Sequence, residues 1–510
     1  MSASQEKKKR RELKAETPEV TKAKKKEAKN KTAKKTIITI VVIVVVIALI
    51  FAIVWNSALF YTGVNALSIG NWKYNAAEYN YFFNNRLYAN YETIYNTYGD
   101  YTYLLLDLNK PLTEQDYSEE QTWAERIKEE TLDRMQQLSM LNDAAAAEGW
   151  KLSPEQAQEV QTAVDSVKSS AANIGYSLKA YLNAYYGKYL TEDLFRELVT
   201  KETIAKYYAI EQIDRLSFTD EELDARYAEN ASDYDLVTYY GYTASGAADE
   251  ENGIDEDTAM NRAYEAATAI AGAATEESFA ELVYNYAPDD YKDLYKDPDY
   301  CRHENVPPAN LAGDAGKWLT DPAREYGDTT VIENDNGYSV YMYVESNDNS
   351  YELRSFRVLL CLAATDGDTG TVTTDTVAAA KSEADAFYAD WLADPTEDHF
   401  AQLCTANSDD TRTNANGGLY TDVSMGYLDE GLEAWIFDEA RQPGDTDIIY
   451  CSNTSYTGYH IVYYVGEGER YDRTIARSLM ETDWSENWRA SNEAAYPIST
   501  GFGFGFVKKK

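Results

Sequence analysis

The side chains that most often perform nucleophilic or metal chemistry are rare in this sequence of 510 residues, which has only 4 Cys and 3 His. So few of them leave no Cys-rich zinc cluster and no disulfide framework. We predict no metal site and no bound cofactor. The residues concerned are Cys301, Cys361, Cys404, Cys451, His303, His399 and His460.

The four cysteines are more typical of buried thiols than of disulfide bonds. Cys361 and Cys451 lie on predicted strands, and Cys404 lies on a predicted helix, where an unpaired Cys behaves as a small apolar residue. An oxidising exterior leaves one disulfide open as an alternative, and sequence alone cannot pair the cysteines. His303 and His399 are most simply surface residues.

The charge balance excludes nucleic acid as a partner held by a broad electrostatic surface. The chain has 86 Asp and Glu against 47 Lys and Arg, a net charge of −39, whereas phosphate binding needs clustered Lys and Arg. The basic residues concentrate in residues 1–35, which hold 14 Lys and Arg and 5 Asp and Glu, a net of +9. The rest of the chain therefore carries −48. Residues 1–35 are predicted to be a basic cytoplasmic tail.

A single apolar segment follows this tail. Residues 36–55 contain no charged side chain, and a helix of this length spans roughly 30 Å, the thickness of the bilayer hydrocarbon. The basic flank predicts a single-pass anchor in the cell membrane, with the N-terminus cytoplasmic and the bulk of the chain extracytoplasmic. A cleaved signal peptide is the alternative, but Val54, Trp55 and Asn56 offer no small-residue cleavage site.

Residues 56–232 are predicted to form an all-helical domain of five or six helices. Apolar residues recur three to five positions apart before Gly149, a typical helix stop. Ser153 and Pro154 then start the next helix, because Ser caps a helix N-terminus and Pro suits its first turn.

A last helix is predicted at residues 469–495, where an apolar stripe recurs with four-residue spacing. A lone amphipathic helix needs a partner, so we expect it to return to the helical domain at 56–232. Residues 496–510 form a tail rich in Gly and Phe for which the sequence suggests no function. The stripe consists of Ile475, Leu479, Met480, Trp484 and Trp488.

Between these helical parts, one unit occurs twice. Residues 234–239 reappear as 351–356, an offset of 117. So many identities in one order indicate a duplication, with one copy at 233–347 and the other at 351–468. The same offset relates Trp318, Asp321, Ala323, Arg324, Gly327, Asp328 and Thr329 to Trp435, Asp438, Ala440, Arg441, Gly444, Asp445 and Thr446, and an offset of 121 relates Phe279, Ala280 and Leu282 to Phe400, Ala401 and Leu403.

Each copy is predicted to be an α+β unit. Its order is a strand, a helical stretch, a Gly-containing loop, a short helix, a Gly-Asp-Thr turn and a final strand pair. The last strands are predicted at 338–344 and 459–465, where β-favouring residues alternate with others. The Gly-Asp-Thr turn by itself is explained by backbone preference alone.

The second copy resembles the parvulin, or PpiC-type rotamase, family of peptidyl-prolyl isomerases. The order and spacing of its motifs carry this resemblance, and with the predicted anchor and helical domain the whole chain resembles membrane-anchored extracytoplasmic foldases of the PrsA, SurA and PpiD kind. The motifs are Ser408-Asp409-Asp410, Asn416-Gly417-Gly418-Leu419-Tyr420, Trp435-x-Phe437-Asp438, Pro443-Gly444-Asp445-Thr446 and Gly458-Tyr459-His460-Ile461.

The resemblance implies a four-stranded sheet with helices around it in each copy and a shallow groove that binds proline in an extended polypeptide. It also implies that the helical domain, like that of SurA, is a chaperone domain for unfolded secreted polypeptides. Rotation about an X-Pro bond faces a barrier of about 18–20 kcal/mol because the amide is partly double-bonded. A catalyst for it needs an apolar seat and polar groups that favour the twisted amide, but no nucleophile and no metal.

By resemblance, the catalytic residues are Asp410, His460 and Arg357. Asp410 falls where the family places Cys or Asp, and His460 on the family's C-terminal histidine. Arg357 aligns with a first-strand histidine of the family, and such a replacement reduces or abolishes turnover because Arg keeps a donor but cannot change tautomer. The substrate-binding residues implied are Leu428, Leu432, Trp435 and Phe437.

Each of these residues also has a purely structural interpretation. Asp410 can cap a loop, the two leucines can be core residues, and His460 can be a histidine whose hydrogen bonds are satisfied within the sheet. The first copy, with Tyr240 and Ser339 at the two histidine positions and no Gly-Gly block, is predicted to be non-catalytic.

Three functions remain open from the sequence. The first is a foldase that binds unfolded secreted polypeptides and isomerises their X-Pro bonds, and the second is a non-catalytic holdase that uses both copies as binding modules. The third is an acidic surface scaffold or adhesin rich in its 44 Tyr. Homodimer formation is left open as well.

Overall fold

The computed structural model describes residues 3–14, 22, 26, 38–50, 57–249, 253–273, 275–365, 371–453 and 455–507. The chain divides into two compact units. The first consists of Met1–Leu216 and Trp484–Lys510, and the second of Ser217–Asp483. The first division between the units falls after residue 216, before the predicted domain boundary at 232. The second falls after residue 483, within the last helix.

The helices and strands have these bounds. The described α-helices are α1 Ala3–Lys14, α2 at 38–50, α3 Ala58–Thr62, α4 Ala76–Tyr98, α5 Trp123–Glu148, α6 Pro154–Asn173, α7 Leu178–Tyr185, α8 Glu192–Asp214, α9 Asp220–Ala228, α10 Glu256–Ile270, α11 Glu276–Tyr286, α12 Gly313–Leu319, α13 Thr374–Ala393, α14 Glu397–Asn407, α15 Glu430–Ile436 and α16 Tyr471–Glu493. The described strands are β1 Asn65–Ile69, β2 Trp72–Asn75, β3 Leu236–Ser245, β4 Arg302–Val306, β5 Thr329–Asn334, β6 Gly337–Asn347, β7 Glu352–Leu362, β8 Leu419–Val423, β9 Thr446–Ser452, β10 Thr457–Arg470 and β11 Ile498–Thr500.

The predicted membrane span is described only in part. Residues 38–50 are helical and their large apolar side chains are exposed, whereas residues 36, 37 and 51–55 lie outside the described residues. Among the helices that can be described, none is both long and apolar enough to cross a membrane. Of the basic tail, only Ala3–Lys14 and residues 22 and 26 are described.

The first unit contains long helices and one small sheet. Three of the sequence signals for its helices are confirmed: Gly149 ends α5 in the left-handed region at φ 68°, and Ser153 caps α6 with Pro154 in its first turn. The unit is not all-helical, however, because β11, β1 and β2 form an antiparallel sheet in that order. The sequence prediction missed the short run at β1, whose apolar side chains are completely buried.

The C-terminal tail is part of this unit. Strand β11 pairs with β1, so that Thr500 lies opposite Leu67. Just beyond it, the Phe506 ring stacks on Phe60 with 5.1 Å between centroids. The tail, for which the sequence suggested no function, therefore completes the sheet and the core of the first unit.

The second unit contains both copies of the repeat, and their sheets have the same topology. The strand orders are β4-β3-β6-β5 in the first copy and β8-β7-β10-β9 in the second, with every adjacent pair antiparallel. The predicted final strands are confirmed as β6 and β10. This agreement confirms the duplication inferred from the residue offsets.

The repeated motif between the short helix and the final strands has the same contacts in both copies. Arg324 lies over the Trp318 ring at 5.0 Å, and Arg441 lies over the Trp435 ring at 4.3 Å. The Gly of each Gly-Asp-Thr turn donates its N–H to a carbonyl on the final strand of its copy, Gly327 to Tyr343 on β6 and Gly444 to Tyr464 on β10. The motif therefore anchors the short helix to the sheet in both copies.

Steric crowding explains why the Gly-Gly block of the second copy has glycine at residue 418. Gly418 has φ +72°, and a Cβ added there would come within 2.4 Å of the Val358 carbonyl oxygen and 2.8 Å of the Cys404 sulfur. A backbone carbonyl of a central strand cannot move aside cheaply. The loop can therefore cross β7 at this short distance only with glycine at residue 418.

We expect Gly418→Ala to lower the free energy of unfolding by about 3 kcal/mol, because it combines left-handed backbone strain with overpacking. Urea denaturation followed by tryptophan fluorescence measures the change. The matched control is Gly431→Ala, since Gly431 lies in α15 and an added Cβ meets nothing closer than 3.6 Å. This control should be neutral or stabilise the protein by up to about 1 kcal/mol. Equal effects at the two positions would contradict the steric explanation.

Candidate active site

One face of the β8-β7-β10-β9 sheet forms the floor of a groove. Side chains alternate along β7, so Phe356, Val358 and Leu360 face the groove while Leu359 and Cys361 pack against the helices on the other face. The groove encloses about 600 Å³ and is bordered by the segment 409–412 and by the 427–432 segment that leads into α15.

The segment that carries Asp410 is hydrogen-bonded to the end of β7. The Leu360 N–H donates to the Ser408 hydroxyl at 3.0 Å, and the Asp409 N–H donates to the Leu360 carbonyl at 2.9 Å. The Leu362 N–H donates to the Asp409 carboxylate at 2.9 Å. Both hydrogen-bonding groups of Leu360 are therefore used to hold 408–410 against the strand, and this places Asp410 at the side of the groove.

Asp410 is a buried carboxylate surrounded by donors. Its side chain accepts hydrogen bonds from the Tyr420 hydroxyl at 2.5 Å and the Thr413 hydroxyl at 2.7 Å. The Arg412 backbone N–H and guanidinium Nε donate to it at 3.1 and 3.3 Å. Burial alone would raise the pKa of Asp410, but these hydrogen bonds outweigh it and hold the pKa below its ordinary value. The carboxylate is therefore ionised at neutral pH.

His460 lies on the neighbouring strand β10, where it is 4 % exposed. Its Nδ1 is 3.3 Å from the Cys451 sulfur, and its Nε2 is 3.4 Å from the Tyr456 hydroxyl oxygen. The Tyr456 hydroxyl in turn donates to Asp429. Burial lowers the pKa of His460 despite the opposing effect of the carboxylates of Asp429 and Asp410. The imidazole is therefore neutral at neutral pH.

The two leucines predicted as the apolar seat both line the groove. Leu432 is 4 % exposed and packs in the cluster that contains Phe356, Val358 and Val462, and Leu428 packs against the edge of that cluster. The Glu433 carboxylate fixes the loop before α15 by accepting the Gly426 N–H at 2.7 Å. The seat is thus apolar and held by both packing and a hydrogen bond.

The structure does not bring Arg357 to this site. Arg357 lies opposite Tyr463 in the strand pair and has the same parity as Leu359, so its side chain leaves the other face of the sheet. Its Nε donates to Glu397 at 3.0 Å and its Nη1 to the Gly417 carbonyl at 2.9 Å. The β7 residue directly opposite His460 is Leu360. The motif alignment assigned Arg357 to the groove, but its side chain lies on the opposite face of the sheet.

The predicted substrate contacts of Trp435 and Phe437 are also absent from the groove lining. Trp435 packs under the Arg441 guanidinium. Phe437 makes an edge contact with Tyr351 at 5.5 Å between centroids. Trp435 lies in the last turn of α15 and Phe437 directly follows this helix, whereas Leu428 precedes it and Leu432 lies in its first turn.

The sequence analysis missed five polar residues of the site. Tyr420 belongs to the motif Gly-Gly-Leu-Tyr, so a sequence signal for this residue was present. Arg412 lies two residues after Asp410. The others come from the loop before α15 and from the β9–β10 hairpin, where nothing in the local pattern singled them out. The five residues are Arg412, Tyr420, Asp429, Cys451 and Tyr456.

The corresponding face of the first copy is filled by aromatic rings. Tyr239, which corresponds to Phe356, stacks on the His303 ring at 4.7 Å and contacts Tyr341 at 5.8 Å. The other face is equivalent in both copies: the Tyr240 hydroxyl donates to Glu276 at 3.1 Å, as Arg357 does to Glu397. His303 is exposed as predicted, but it has this specific stacking partner.

All four cysteines are buried and free, as the sequence analysis favoured. His399 is half-buried, and its Nδ1 lies 3.0 Å from the Asp394 carbonyl oxygen. Ser339, at the second histidine position of the first copy, is buried and accepts a hydrogen bond from Asn334 at 2.9 Å.

Residues 361–466 match the family model of the rotamases, described as a PPIC-type PPIASE domain. The second copy is a parvulin-type peptidyl-prolyl isomerase domain. The match begins at Cys361 and so does not include Arg357. A search of curated proteins found no match.

Among solved structures, the chain is similar to the peptidylprolyl isomerase PrsA from Bacillus anthracis. The two sequences are 12 % identical, and the alignment covers 69 % of this chain and 88 % of that chain with a TM-score of 0.15.

The ionised state of Asp410 predicts a pH-dependent effect of Asp410→Asn. At pH 7 we expect the substitution to lower the free energy of unfolding by about 2 kcal/mol, the value of hydrogen bonds to a buried charged group. Because the pKa of Asp410 is lower in the folded state, this stabilisation is complete above the unfolded value of about 3.9 and is lost as the pH falls through the folded value. The gap between wild type and variant should therefore narrow below about pH 4.

Urea denaturation between pH 7 and pH 2.5 measures this gap. Asp390→Asn is the control, because Asp390 is exposed on α13 in the same domain and should leave the free energy of unfolding unchanged at each pH. A gap at Asp410 that stays constant over the whole pH range would show that the substitution acts through packing and not through the charge.

Proposed function

We propose that this protein is an extracytoplasmic foldase that binds unfolded secreted polypeptides and that its second copy isomerises their X-Pro bonds. The observation that carries the proposal is the groove on the second sheet, which combines an apolar seat at Leu428 and Leu432 with the ionised Asp410 and the neutral His460. The isomerase family to which this domain belongs supports the same function.

The chemistry follows from amide resonance. A planar X-Pro amide places partial negative charge on its oxygen, and that charge decreases when the C–N bond twists and conjugation is lost. A fixed carboxylate beside the carbonyl oxygen therefore raises the energy of the planar form more than that of the twisted form. Asp410 supplies this field, and its four donors hold it in place without protonating it.

The apolar seat completes the mechanism. A proline ring against Leu428 and Leu432 is held while the rest of the chain rotates, so that binding energy is used in the twisted state. His460 presents no net charge at the floor and leaves Asp410 as the dominant field there. No bond is broken, so the site needs only positioning and electrostatics.

The direct test is isomerase activity on a short X-Pro peptide. We expect kcat/KM to fall by about 10- to 100-fold in Asp410→Ala, which removes the field that favours the twisted amide. His460→Ala should reduce it as well, by opening the floor of the groove. Arg357→Gln is the matched control within the same domain and should retain wild-type kcat/KM below its melting temperature, because Arg357 lies on the other face of the sheet.

Loss of activity in Arg357→Gln with retention in Asp410→Ala would refute this assignment. Circular dichroism of each variant at the assay temperature separates unfolding from a lost function.

A holdase without isomerase activity is the second candidate, and one observation favours it. In the first unit, α5, α8 and the end of α16 enclose a mainly apolar pocket of about 360 Å³ that includes Leu141, Ile213, Trp484 and Trp488. Such a pocket suits apolar side chains of an unfolded polypeptide. Suppressed aggregation of an unfolded client by a wild-type chain that lacks isomerase activity would favour this candidate over the first.

The location outside the cytoplasm is also part of the proposal. It is supported by the basic residues at 1–35, by the uncharged stretch 36–55 and by the exposed apolar side chains of α2. We expect protease added to intact cells, or to cells stripped of their outer layers, to digest the acidic region while the N-terminal tail stays protected. Complete protection without lysis would contradict this orientation.

A further inference from the structure

At the floor of the groove, two side chains that the isomerase mechanism does not use, Asp429 and Cys451, lie beside His460, which it does use. Asp429, Cys451 and His460 each offer a ligand atom, and these atoms all lie within 4.8 Å of one another. Cys451 and His460 are 3 % and 4 % exposed, and Asp429 is partly exposed. A thiol, an imidazole and a carboxylate are the three ligand types that Zn²⁺ takes in proteins. We propose that Asp429, Cys451 and His460 form a Zn²⁺ site at the floor of the groove.

The hydrogen bonds fix the imidazole in the tautomer that such a site needs. The Tyr456 hydroxyl donates to the Asp429 carboxylate, which can only accept. The Tyr456 oxygen therefore acts as the acceptor for His460, and the proton of the neutral ring resides on Nε2. Nδ1 then carries a lone pair directed at the Cys451 sulfur, 3.3 Å away. The thiol of Cys451 has one proton, which it can direct to Nδ1 or to the Asp429 carboxylate, its other hydrogen-bond partner.

A metal ion can take the place of that proton. With Zn–S and Zn–N distances of about 2.3 and 2.05 Å, tetrahedral geometry separates the two ligand atoms by about 3.6 Å. The observed 3.3 Å between sulfur and Nδ1 is close to this value. Binding converts the Cys451 thiol to a thiolate and releases one proton to solvent, while the neutral imidazole and the ionised carboxylate bind without a change in protonation.

The surroundings supply what a metal site needs beyond its ligands. The Nε2–H of His460 keeps its hydrogen bond to Tyr456, an outer contact of the kind that orients metal-bound histidines. The Asn453 amide donates to the Asp429 carboxylate at 2.7 Å and holds it in place. The groove of about 600 Å³ leaves room for water in the fourth position and gives the ion a path from solvent.

The sequence analysis predicted no metal site because its arguments used spacing along the chain. Cys451 and His460 are nine residues apart on two strands of a hairpin, and Asp429 comes from the loop before α15. Strand pairing brings the first two together, with His460 opposite Ile449 and Cys451 opposite Gly458. A spacing rule for zinc sites does not include this arrangement.

The test is titration of the full chain, kept in detergent micelles, with Co²⁺ and then Zn²⁺. Co²⁺ bound by a thiolate gives a sulfur-to-metal charge-transfer band in the near ultraviolet, which the many surface carboxylates of this acidic chain cannot produce. We expect one equivalent of Co²⁺ to develop the band and one equivalent of Zn²⁺ to remove it. Zn²⁺ should also raise the melting temperature.

Cys451→Ala should abolish the band, and Asp429→Asn should weaken Co²⁺ binding by about 10-fold or more. Cys361→Ala is the matched control, because it removes a buried thiol from β7 of the same sheet, on the opposite face, and should leave the band unchanged. No band in the folded wild type would overturn the proposal whatever the variants do, and so would a band that persists in Cys451→Ala. Because the readout is spectroscopic, it is independent of isomerase activity.

Discussion

The candidate site depends on how the segment 408–410 is held against the end of β7. Leu360 uses its N–H for Ser408 and its carbonyl for Asp409, and Leu362 uses its N–H for the Asp409 side chain. These bonds replace the edge pairing that β8 provides further along the strand, where it lies beside Arg357 and Phe356. The buried backbone groups of β7 need partners, and the segment that satisfies them is the one that carries Asp410. The same hydrogen bonds therefore satisfy the backbone of β7 and place the Asp410 carboxylate beside the groove.

The two copies show which parts of the unit serve the fold and which serve the site. The contacts retained in both are the Trp–Arg stack, the turn that follows it, and the polar contact between a central strand and the first residue of the second helix after that strand. They differ on the groove face. There the first copy packs Tyr239 against His303 and Tyr341, whereas the second leaves a cavity. Ring packing on that face is a physical reason to expect no proline seat in the first copy, as the sequence analysis predicted.

The sequence predicted the repeats, their strand and helix order, and the positions of Asp410, His460 and the two leucines beside one groove. These predictions depended only on the order of the motifs along the chain, and the order of the helices and strands in the fold follows from it. The structure places Arg357, Trp435 and Phe437 away from the groove. For Arg357 the reason is the direction of the side chain, because neighbouring residues on a strand face opposite sides and a shift of one position changes the face. Trp435 lies in α15 and Phe437 directly follows it, where strand alternation does not apply. The small sheet of the first unit was missed because its strands are short and one of them, β11, is far away in sequence. Nothing local in Ile498–Thr500 indicates that β1 is its partner.

Two buried polar groups of opposite character can coexist in one small groove because each has its own hydrogen bonds. Asp410 faces a guanidinium and two hydroxyl donors, which favour its ionised form despite burial. His460 contacts a thiol and the phenol that donates to Asp429, and its burial lowers its pKa and favours the neutral ring. If His460 were protonated, its charge would neutralise part of the field of Asp410 at the point where a peptide carbonyl lies. The burial of His460 on β10 therefore supports the function of Asp410 without any direct contact between them.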